Sequence, residues 1–334
     1  MSKISEFLKT RNWLETAIII SPTSFTKLDD ASIAILEKNK QSRRFTHSLT
    51  FSSVIEEIRQ EKPLKSIIGL GGGTALDLAK YTAFQLKIPW IAIPSMLSTN
   101  AYATNKVAVI DEKGKHTEQG KLPAFILFDD EYLKKSSREN LYGLVDVFSI
   151  YTALTDWRIA NLEIDLPIDS KIFHRADTLL WTAINIANRE NPETSIDDIA
   201  YAVGLAGHIT NVYGSGRPES GSEHIFASAL ELICPMPHAL AVTLGVYIMD
   251  YIQTLLYPSL TSNNEIRREF IPFDKLGIIE DINSLGISWS TVETILKGLK
   301  PRADKVTVVN YWDSNRADFE WLKHYLEKQN FKFV

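Results

Sequence analysis

One cysteine, Cys234, stands in 334 residues. An intramolecular disulfide is therefore excluded, and a reducing compartment is the natural setting. No uninterrupted apolar run is long enough to span a bilayer and no secretory h-region follows Met1, so the expectation is a cytoplasmic chain with no membrane partner. Basic charge is not in excess either. Lys and Arg number 36 against 41 Asp and Glu, for a net charge of −5 and a pI of about 5.9, which argues against a nucleic-acid partner. There is no fixed-period repeat, no low-complexity tract and no Gly-x-Gly-x-x-Gly dinucleotide fingerprint. What is present is ordinary globular material, 45% hydrophobic and 23% charged. A chain of this length buries roughly three quarters of its unfolded surface and favours two domains.

The stretch from Leu64 to Pro94 organises the first part of the chain. Ser66 to Leu70 is a short apolar run of the kind that forms a buried parallel strand. Gly71, Gly72 and Gly73 follow, and without side chains they permit a sharp turn and close approach of a ligand. Thr74 to Leu86 then carries apolar residues at helical spacing, with Asp77 in its first turns. A helix that begins behind a glycine turn offers its free N–H groups to an anion, and a nucleotide pyrophosphate is the natural guest. The same three glycines also serve as a plain tight turn about as often. Ser95-Met-Leu-Ser98-Thr-Asn100 follows the strand Trp90–Ile93, at a carboxyl end where ligands of open α/β sheets sit.

Strands at Ala17–Ser21, Phe45–Leu49, Ser66–Leu70 and Trp90–Ile93 alternate with helical patterns at 2–13, 27–38, 53–60 and 74–86, the signature of a parallel sheet covered on both faces. Lys106–Ile110 and Ala124–Phe128 read as strands flanking a hairpin turn at Asp111–Gly114. After Asp130 strand-like runs give way to helices at 131–137, 142–163, 169–190, 195–213, 221–231, 237–257, 263–276, 278–286 and 289–298. Val306–Val309 is a short extended piece and 318–328 a closing helix. The fold class is thus an N-terminal α/β parallel-sheet nucleotide-binding domain, residues 1–135, followed by an all-α metal- and substrate-binding domain, residues 136–334. The cleft between two such domains is the default ligand site.

Asp146, His224 and His238 are metal-ligand types in separate helical contexts. Catalytic zinc commonly keeps three protein ligands and an open fourth position, and the same set suits ferrous iron. The fourteen-residue spacing from His224 to His238 is too long for one helix face, so adjacent helices joined by Cys234-Pro-Met-Pro237 would have to present them. Lone His and Asp residues in helical domains more often sit at surfaces or caps, and spacing by itself does not decide. Arg217, in the glycine-rich Gly214–Gly221 loop, is either a clamp for an anionic substrate or a surface arginine in a turn. Cys234 reads as a buried structural thiol, and Lys134-Lys135 and Arg267-Arg268 as solvated helix faces. The remaining histidines show no metal spacing.

Gly71-Gly-Gly-Thr-Ala-Leu-Asp-Leu-Ala-Lys80 with Ile93-Pro-Ser95 resembles the nucleotide-binding motif of the iron-containing alcohol dehydrogenase and dehydroquinate synthase superfamily. Four further stretches resemble its sn-glycerol-1-phosphate dehydrogenase family. Gly143-Leu-Val-Asp-Val-Phe-Ser-Ile-Tyr-Thr-Ala-Leu-Thr-Asp-Trp157 is similar to Gly-x-x-Asp-x-x-Ser-Lys-Tyr-Thr-Ala-x-x-Asp-Trp. Gly216-Arg-Pro-Glu-Ser-Gly-Ser-Glu-His224 is similar to Ser-Arg-Pro-x-Ser-Gly-x-Glu-His. Pro237-His238 with Gly245 stands where that family has its second metal histidine, and Arg302-Ala-Asp-Lys-Val-Thr307 loosely matches its Arg-Pro-x-Arg-Tyr-Thr tail. The resemblance implies a dehydroquinate synthase-like fold and NAD(P) held by Gly71, Gly72, Gly73, Thr74, Asp77, Ser95 and Ser98. It implies one divalent metal on Asp146, His224 and His238, which would also be the catalytic set. Zinc comes first, with Fe2+ or Ni2+ as alternatives. Asn100 and Arg217 would contact the substrate.

The expected activity is metal-dependent NAD(P)H reduction of a small, phosphorylated ketone or aldehyde. The alternative is a dehydroquinate synthase-like lyase or cyclase using NAD transiently, and a catalytically silent binding subunit is the third reading. The expected partner is a small molecule, and a homo-oligomer is left open. Three departures bear on the substrate: Ile150 replaces the motif's lysine, Asn100 replaces an aspartate, and Ala239-Leu240 replaces Gly-Glu after the second histidine. In related alcohol dehydrogenases an aspartate ends the first strand and selects against NADPH. Pro22 takes that place here, which implies use of both NADH and NADPH.

Overall fold

The computed structural model describes residues 2–46, 50–59, 63–111, 114–262 and 268–334. It divides into two compact units, one of residues up to Gly143 together with Glu193–His208, the other of Leu144–Pro192 and Ile209–Val334.

Isoleucine builds the first unit. Thr16–Ile20 (β1) is buried along its whole length, and Arg43–Phe45 (β2), Ser66–Gly71 (β3), Trp90–Pro94 (β4) and Phe125–Ile126 (β7) lie beside it in the order β2-β1-β3-β4-β7. Every neighbouring pair is parallel. Strands buried on both faces have no polar side to show, which is why β1, β3 and β4 read as continuous apolar runs. The chain moves outward from β1 to β2, then returns past β1 to β3. The strand order therefore reverses between β1 and β3, and ligands of open α/β sheets bind outside the carboxyl ends at such a point.

The helices of this unit are Lys3–Lys9 (α1), Pro22–Thr26 (α2), Asp30–Lys38 (α3), Ser53–Arg59 (α4) and Gly73–Leu86 (α5). The helix expected over 27–38 is α3, starting only at Asp30, and a separate short helix, α2, precedes it, because Ser21 and Asp29 each cap a start, accepting from the N–H groups of Ser24 and Ser32. The second strand ends at Phe45, and the rest of its expected span, residues 47–49, lies outside the described residues.

The hairpin departs from expectation. Lys106–Asp111 (β5) pairs antiparallel with Gly114–Gln119 (β6), in register from Lys106↔Gln119 to Asp111↔Gly114. Residues 124–128 instead lend β7 to the main sheet. The true partner, Gly114-Lys-His-Thr-Glu-Gln119, carries no apolar alternation from which a strand could be read.

The hairpin is fixed to α5 by a buried ion pair. Lys80, fully buried, donates to Asp77 Oδ1 at 2.8 Å and to the Lys106 carbonyl at 2.6 Å, and Asp77 Oδ2 accepts the Ala108 N–H at 3.1 Å. The segment Glu193–His208 joins this unit through Tyr102, whose hydroxyl donates to the Ala200 carbonyl at 2.8 Å.

In the second unit the helix expected over 142–163 is broken. Ser137–Phe148 (α7, after Asp130–Leu133, α6) ends at Ser149, and Ile150–Ile164 (α8) begins anew. The Ser149 hydroxyl lies 2.6 Å from the Asp146 carbonyl and 2.7 Å from that of Glu219, a local competition with the helical ladder. Ser170–Ala187 (α9), Ser222–Ile233 (α11) and His238–Leu256 (α12) follow in this unit, while Ile196–Tyr213 (α10) belongs to the first unit as far as His208 and to the second from Ile209. Helix α12 is long and apolar enough to cross a membrane, but 78% of its most apolar stretch is buried within the protein. Residues 263–267 of the helix expected over 263–276 lie outside the described residues, and Phe270–Gly277 is a run of turns around Pro272. Arg268 is not on a solvated face: its guanidinium pairs with Asp250 at 2.9 Å, and Asp250 also accepts from Tyr151. Val308–Tyr311 is a 3-10 turn rather than an extended piece, capped by Thr307.

The Lys80–Asp77 pair yields a stability prediction. Lys80→Met strands a buried carboxylate and should cost about 3–5 kcal/mol, while Asp77→Leu/Lys80→Met should recover most of the loss. Thermal melts of the three variants check this, and a double variant no more stable than Lys80→Met would refute it.

Candidate functional site

Three helix termini supply the metal-type residues. Asp146 lies in the last turn of α7, just before the break at Ser149. His224 lies in the first turn of α11, and His238 opens α12. The return through Cys234–Pro237 lays α12 against α11, and Gly245 sets how closely. A Cβ there would come within 2.6 Å of the Glu223 carbonyl oxygen, so no residue with a side chain permits this approach. Cys234 itself is half-buried.

The result is a converging triad. One ligand atom from each of Asp146, His224 and His238 can be chosen so that all three lie within 4.8 Å of one another. His224 Nε2 is 3.3 Å from Asp146 Oδ1 and His238 Nε2 is 3.8 Å from the same oxygen. Bonds near 2.0–2.1 Å in a tetrahedral shell place ligand atoms about 3.3 Å apart, so the donor set needs little movement to close around an ion.

Each imidazole is held from behind by a carboxylate. His224 Nδ1 lies 2.8 Å from Glu223 Oε1, and His238 Nδ1 makes a short contact with Glu231 Oε1. An ionised carboxylate only accepts, so both Nδ1 atoms donate and both Nε2 atoms turn inward. Glu223 is fully buried and also accepts the Gly221 N–H at 2.5 Å and the Thr152 hydroxyl at 2.8 Å. Burial by itself would lower the His224 pKa, but the hydrogen bonds and charges of Asp146 and Glu223 outweigh it and raise the value to about 9. Acids that hold a proton this firmly between them also favour a dication. In the metal-free protein the stabilising charge of His224 is present below about 6.5 and is lost as pH rises through about 9.

The nucleotide-type residues gather at the carboxyl ends of β1, β3 and β4. Gly71 has φ +153°, and a Cβ on it would clash with Ala75 at 2.7 Å. Gly72 stands at the N-cap of α5 with no side chain over the free N–H groups, and Thr74 is exposed in the first turn. Ser95 is buried, its hydroxyl 2.9 Å from that of Ser24, which in turn bonds Ser21. Ser98 and Asn100 are half-buried on the following loop. Asp77, one helical turn along, has its carboxylate taken up by Lys80 and Ala108, which makes it an anchor of the fold.

Arg217 is not a surface residue: it is 5% exposed, and its Nη1 donates to the Val306 carbonyl at 2.5 Å. Reasoning from sequence assigned no role to Glu223, Glu231 or Lys305. Glu223 precedes His224, and Glu231 lies two helical turns further along α11, the spacing that would have shown both on one face. Ile150 is fully buried at the start of α8.

Comparison with known proteins bears on the chain's relatives. Residues 1–136 match the family model described as iron-containing alcohol dehydrogenase. The chain is 26% identical over 304 residues to a glycerol-1-phosphate dehydrogenase [NAD(P)+] of Methanosphaera stadtmanae, covering 88% of this chain and 84% of that one. It is 33% identical over 214 residues to the Sulfolobus acidocaldarius protein of the same name, covering 61% of this chain and 60% of that one. Glycerol dehydrogenase from Schizosaccharomyces pombe shares the fold with a TM-score of 0.62 at 17% identity, covering 99% of this chain and 89% of that one. The chain is thus similar to the iron-containing alcohol dehydrogenases over its first 136 residues, and to glycerol-1-phosphate dehydrogenases over most of its length.

Two substitutions test the triad. His224→Ala should abolish retention of a divalent ion through dialysis, and Glu231→Gln should weaken ion affinity roughly 10–100-fold with the fold intact. Competition with a chelating dye measures both, and unchanged affinity in His224→Ala would remove this residue from the site.

Proposed function

We propose that this chain is a metal-dependent NAD(P)H oxidoreductase that reduces a small phosphorylated ketone or aldehyde, in the manner the name glycerol-1-phosphate dehydrogenase describes. In this reading the first unit carries the cofactor site and the second unit the metal and substrate sites. The observation that carries it is the convergence of Asp146, His224 and His238 with both imidazoles backed by buried or half-buried glutamates. The reading is of a cytoplasmic enzyme with a small-molecule substrate.

Asp146, His224 and His238 would hold one divalent ion, with zinc ahead of Fe2+ and Ni2+. Such an ion supplies Lewis-acid polarisation of a carbonyl oxygen, and the nicotinamide supplies the hydride. The chain's own residues do the positioning. Glu223 and Glu231 keep Nε2 of each histidine directed inward and raise the basicity of the rings. Gly71 to Thr74 present backbone N–H groups at the start of α5 to the pyrophosphate, and Ser95 and Ser98 line the loop beyond β4. The lyase alternative is disfavoured by Ile150, a buried aliphatic side chain at the position of the motif's lysine.

With metal-loaded protein, dihydroxyacetone phosphate should oxidise NADH or NADPH, followed by loss of the reduced-nicotinamide absorbance. Dialysis against a chelator should abolish turnover, and restoring Zn2+ should recover it. No turnover with any phosphorylated or free small carbonyl would refute the assignment.

Gly72 provides a second test. A Cβ at this position meets only Met96, at 3.5 Å and beyond, so a side chain fits the protein but would crowd a pyrophosphate. Gly72→Val should raise the NADH dissociation constant at least about tenfold, roughly 1.4 kcal/mol, without changing ion content. Equal affinity would move the cradle elsewhere.

β1 is followed by Ser21 and then Pro22, which opens α2 behind the Ser21 cap, and no carboxylate stands there to repel a 2′-phosphate. NADH and NADPH should serve with efficiencies within about tenfold of each other. Steady-state kinetics with both cofactors on one substrate checks this.

A further inference from the structure

The first turn of α11 carries His224, yet this helix start has no cap of its own. Gly221 stands at the N-cap with no side chain to offer, and the buried hydroxyl of Ser222 makes no hydrogen bond among the described residues. Buried N–H groups at a helix start need acceptors. Glu223 Oε1 takes the Gly221 N–H at 2.5 Å, and Asp156 Oδ2, reaching across from α8, takes the Ser222 N–H at 2.6 Å.

Asp156 is fully buried. Its other oxygen, Oδ1, accepts the Val308 N–H at 2.8 Å, where the 3-10 turn begins. Each oxygen therefore meets a donor, an arrangement that suits a carboxylate and not an amide, whose NH2 would face one of the two N–H groups.

One helical turn earlier, on the same face of α8, is Thr152, also fully buried. Its hydroxyl lies 2.8 Å from Glu223 Oε2 and 3.1 Å from the Ser149 carbonyl, and its single proton goes to the nearer, charged acceptor. The Gly221 N–H and His224 Nδ1 both use Oε1, so Thr152 is what satisfies Oε2. Without it, a buried carboxylate oxygen loses its donor, which is costly, and the carboxylate gains freedom to turn away from the His224 ring.

The packing leaves little room for adjustment. A Cβ on Gly221 would come within 2.4 Å of Asp156 Oδ2, 2.9 Å of Glu223 Oε2 and 3.0 Å of the Ala153 Cα. The face of α8 that carries Thr152, Ala153 and Asp156 thus lies directly against the start of α11.

We propose that Asp156 and Thr152 are positioning residues for the metal ligand His224. Asp156 fixes the start of the helix, and Thr152 fixes the carboxylate that holds the imidazole. Neither belongs to the ligand set, and they act through Ser222 and Glu223. The proposal rests on the metal reading of Asp146, His224 and His238, whereas the hold on the His224 ring can be observed with no metal present.

The test uses the full chain loaded with Co2+, whose visible absorption reports its ligand field, with affinity measured by competition against a chelating dye. Thr152→Val keeps the shape and removes the hydroxyl. It should weaken Co2+ binding about tenfold, the low end of the range for partners behind a ligand, and shift the absorption bands. Thr152→Ser should restore both. Asp156→Asn should weaken binding by a similar factor, and the Thr152 pair decides the matter if this variant does not fold. In the metal-free protein the His224 Nδ1–H should give a slowly exchanging downfield proton resonance, identified by its absence from His224→Ala. That resonance should persist in Thr152→Ser and be lost to exchange in Thr152→Val.

Variants that melt at lower temperature while Co2+ affinity, absorption bands and the Nδ1–H resonance match wild type would make both residues anchors of the fold and overturn the proposal. Failure of Thr152→Ser to restore what Thr152→Val loses would overturn it as well. If wild type holds no divalent ion while the Nδ1–H resonance still depends on the Thr152 hydroxyl, the positioning of His224 stands and the metal reading falls.

Discussion

The buried carboxylate of Glu223 is the interaction on which the second unit's site depends. It lies in the first turn of α11, where the helix dipole favours negative charge, and it is fully removed from water. Such a charge is tolerable only when its lone pairs are satisfied. The Gly221 N–H, the Thr152 hydroxyl and His224 Nδ1 do this from the preceding loop, from α8 and from α11 itself. The residue's backbone is also the surface against which Gly245 packs. Ring orientation, loop path and helix spacing therefore meet at one residue.

Around this point the second unit separates charge by sign. Asp146, Glu223 and Glu231 surround two imidazoles and make a locus for a dication. Arg217 and Lys305, one loop away, have no carboxylate of their own. Asp156 lies beside Glu223, and its pKa is raised to about 6 by burial first and by Glu223 next, against the hydrogen bonds from Ser222 and Val308.

The first unit shows how a residue of the right type can serve the fold instead. Asp77 sits near a phosphate-type turn, yet its two oxygens go to Lys80 and to the hairpin backbone. A lysine with no exposure needs that partner, so the pair fastens β5 and β6 to α5. The turn before it remains bare, with Gly72 at the helix start and hydroxyls at the neighbouring strand ends.

The sequence by itself determined the features that rest on local chemistry. Isoleucine runs dictated strands buried on both faces, a glycine turn before an amphipathic helix dictated the carboxyl-end loop, and helical periodicity dictated α9, α11 and α12 almost to their ends. The motif contexts also named Asp146, His224 and His238. Tertiary structure alone decided what depends on residues far apart in the chain. Only packing shows that α11 and α12 approach closely enough, at Gly245, for the two histidines to converge on Asp146. Packing also shows that the Ser149 hydroxyl at the break meets the Glu219 carbonyl, which is remote in sequence. The polar strand Gly114–Gln119 carries no alternation because its pairing is set by β5 rather than by a buried face. Whether Arg217 is a surface turn residue or a buried cation rests on Val306 and Lys305, some ninety residues away in the chain, and no local pattern encodes such a neighbour.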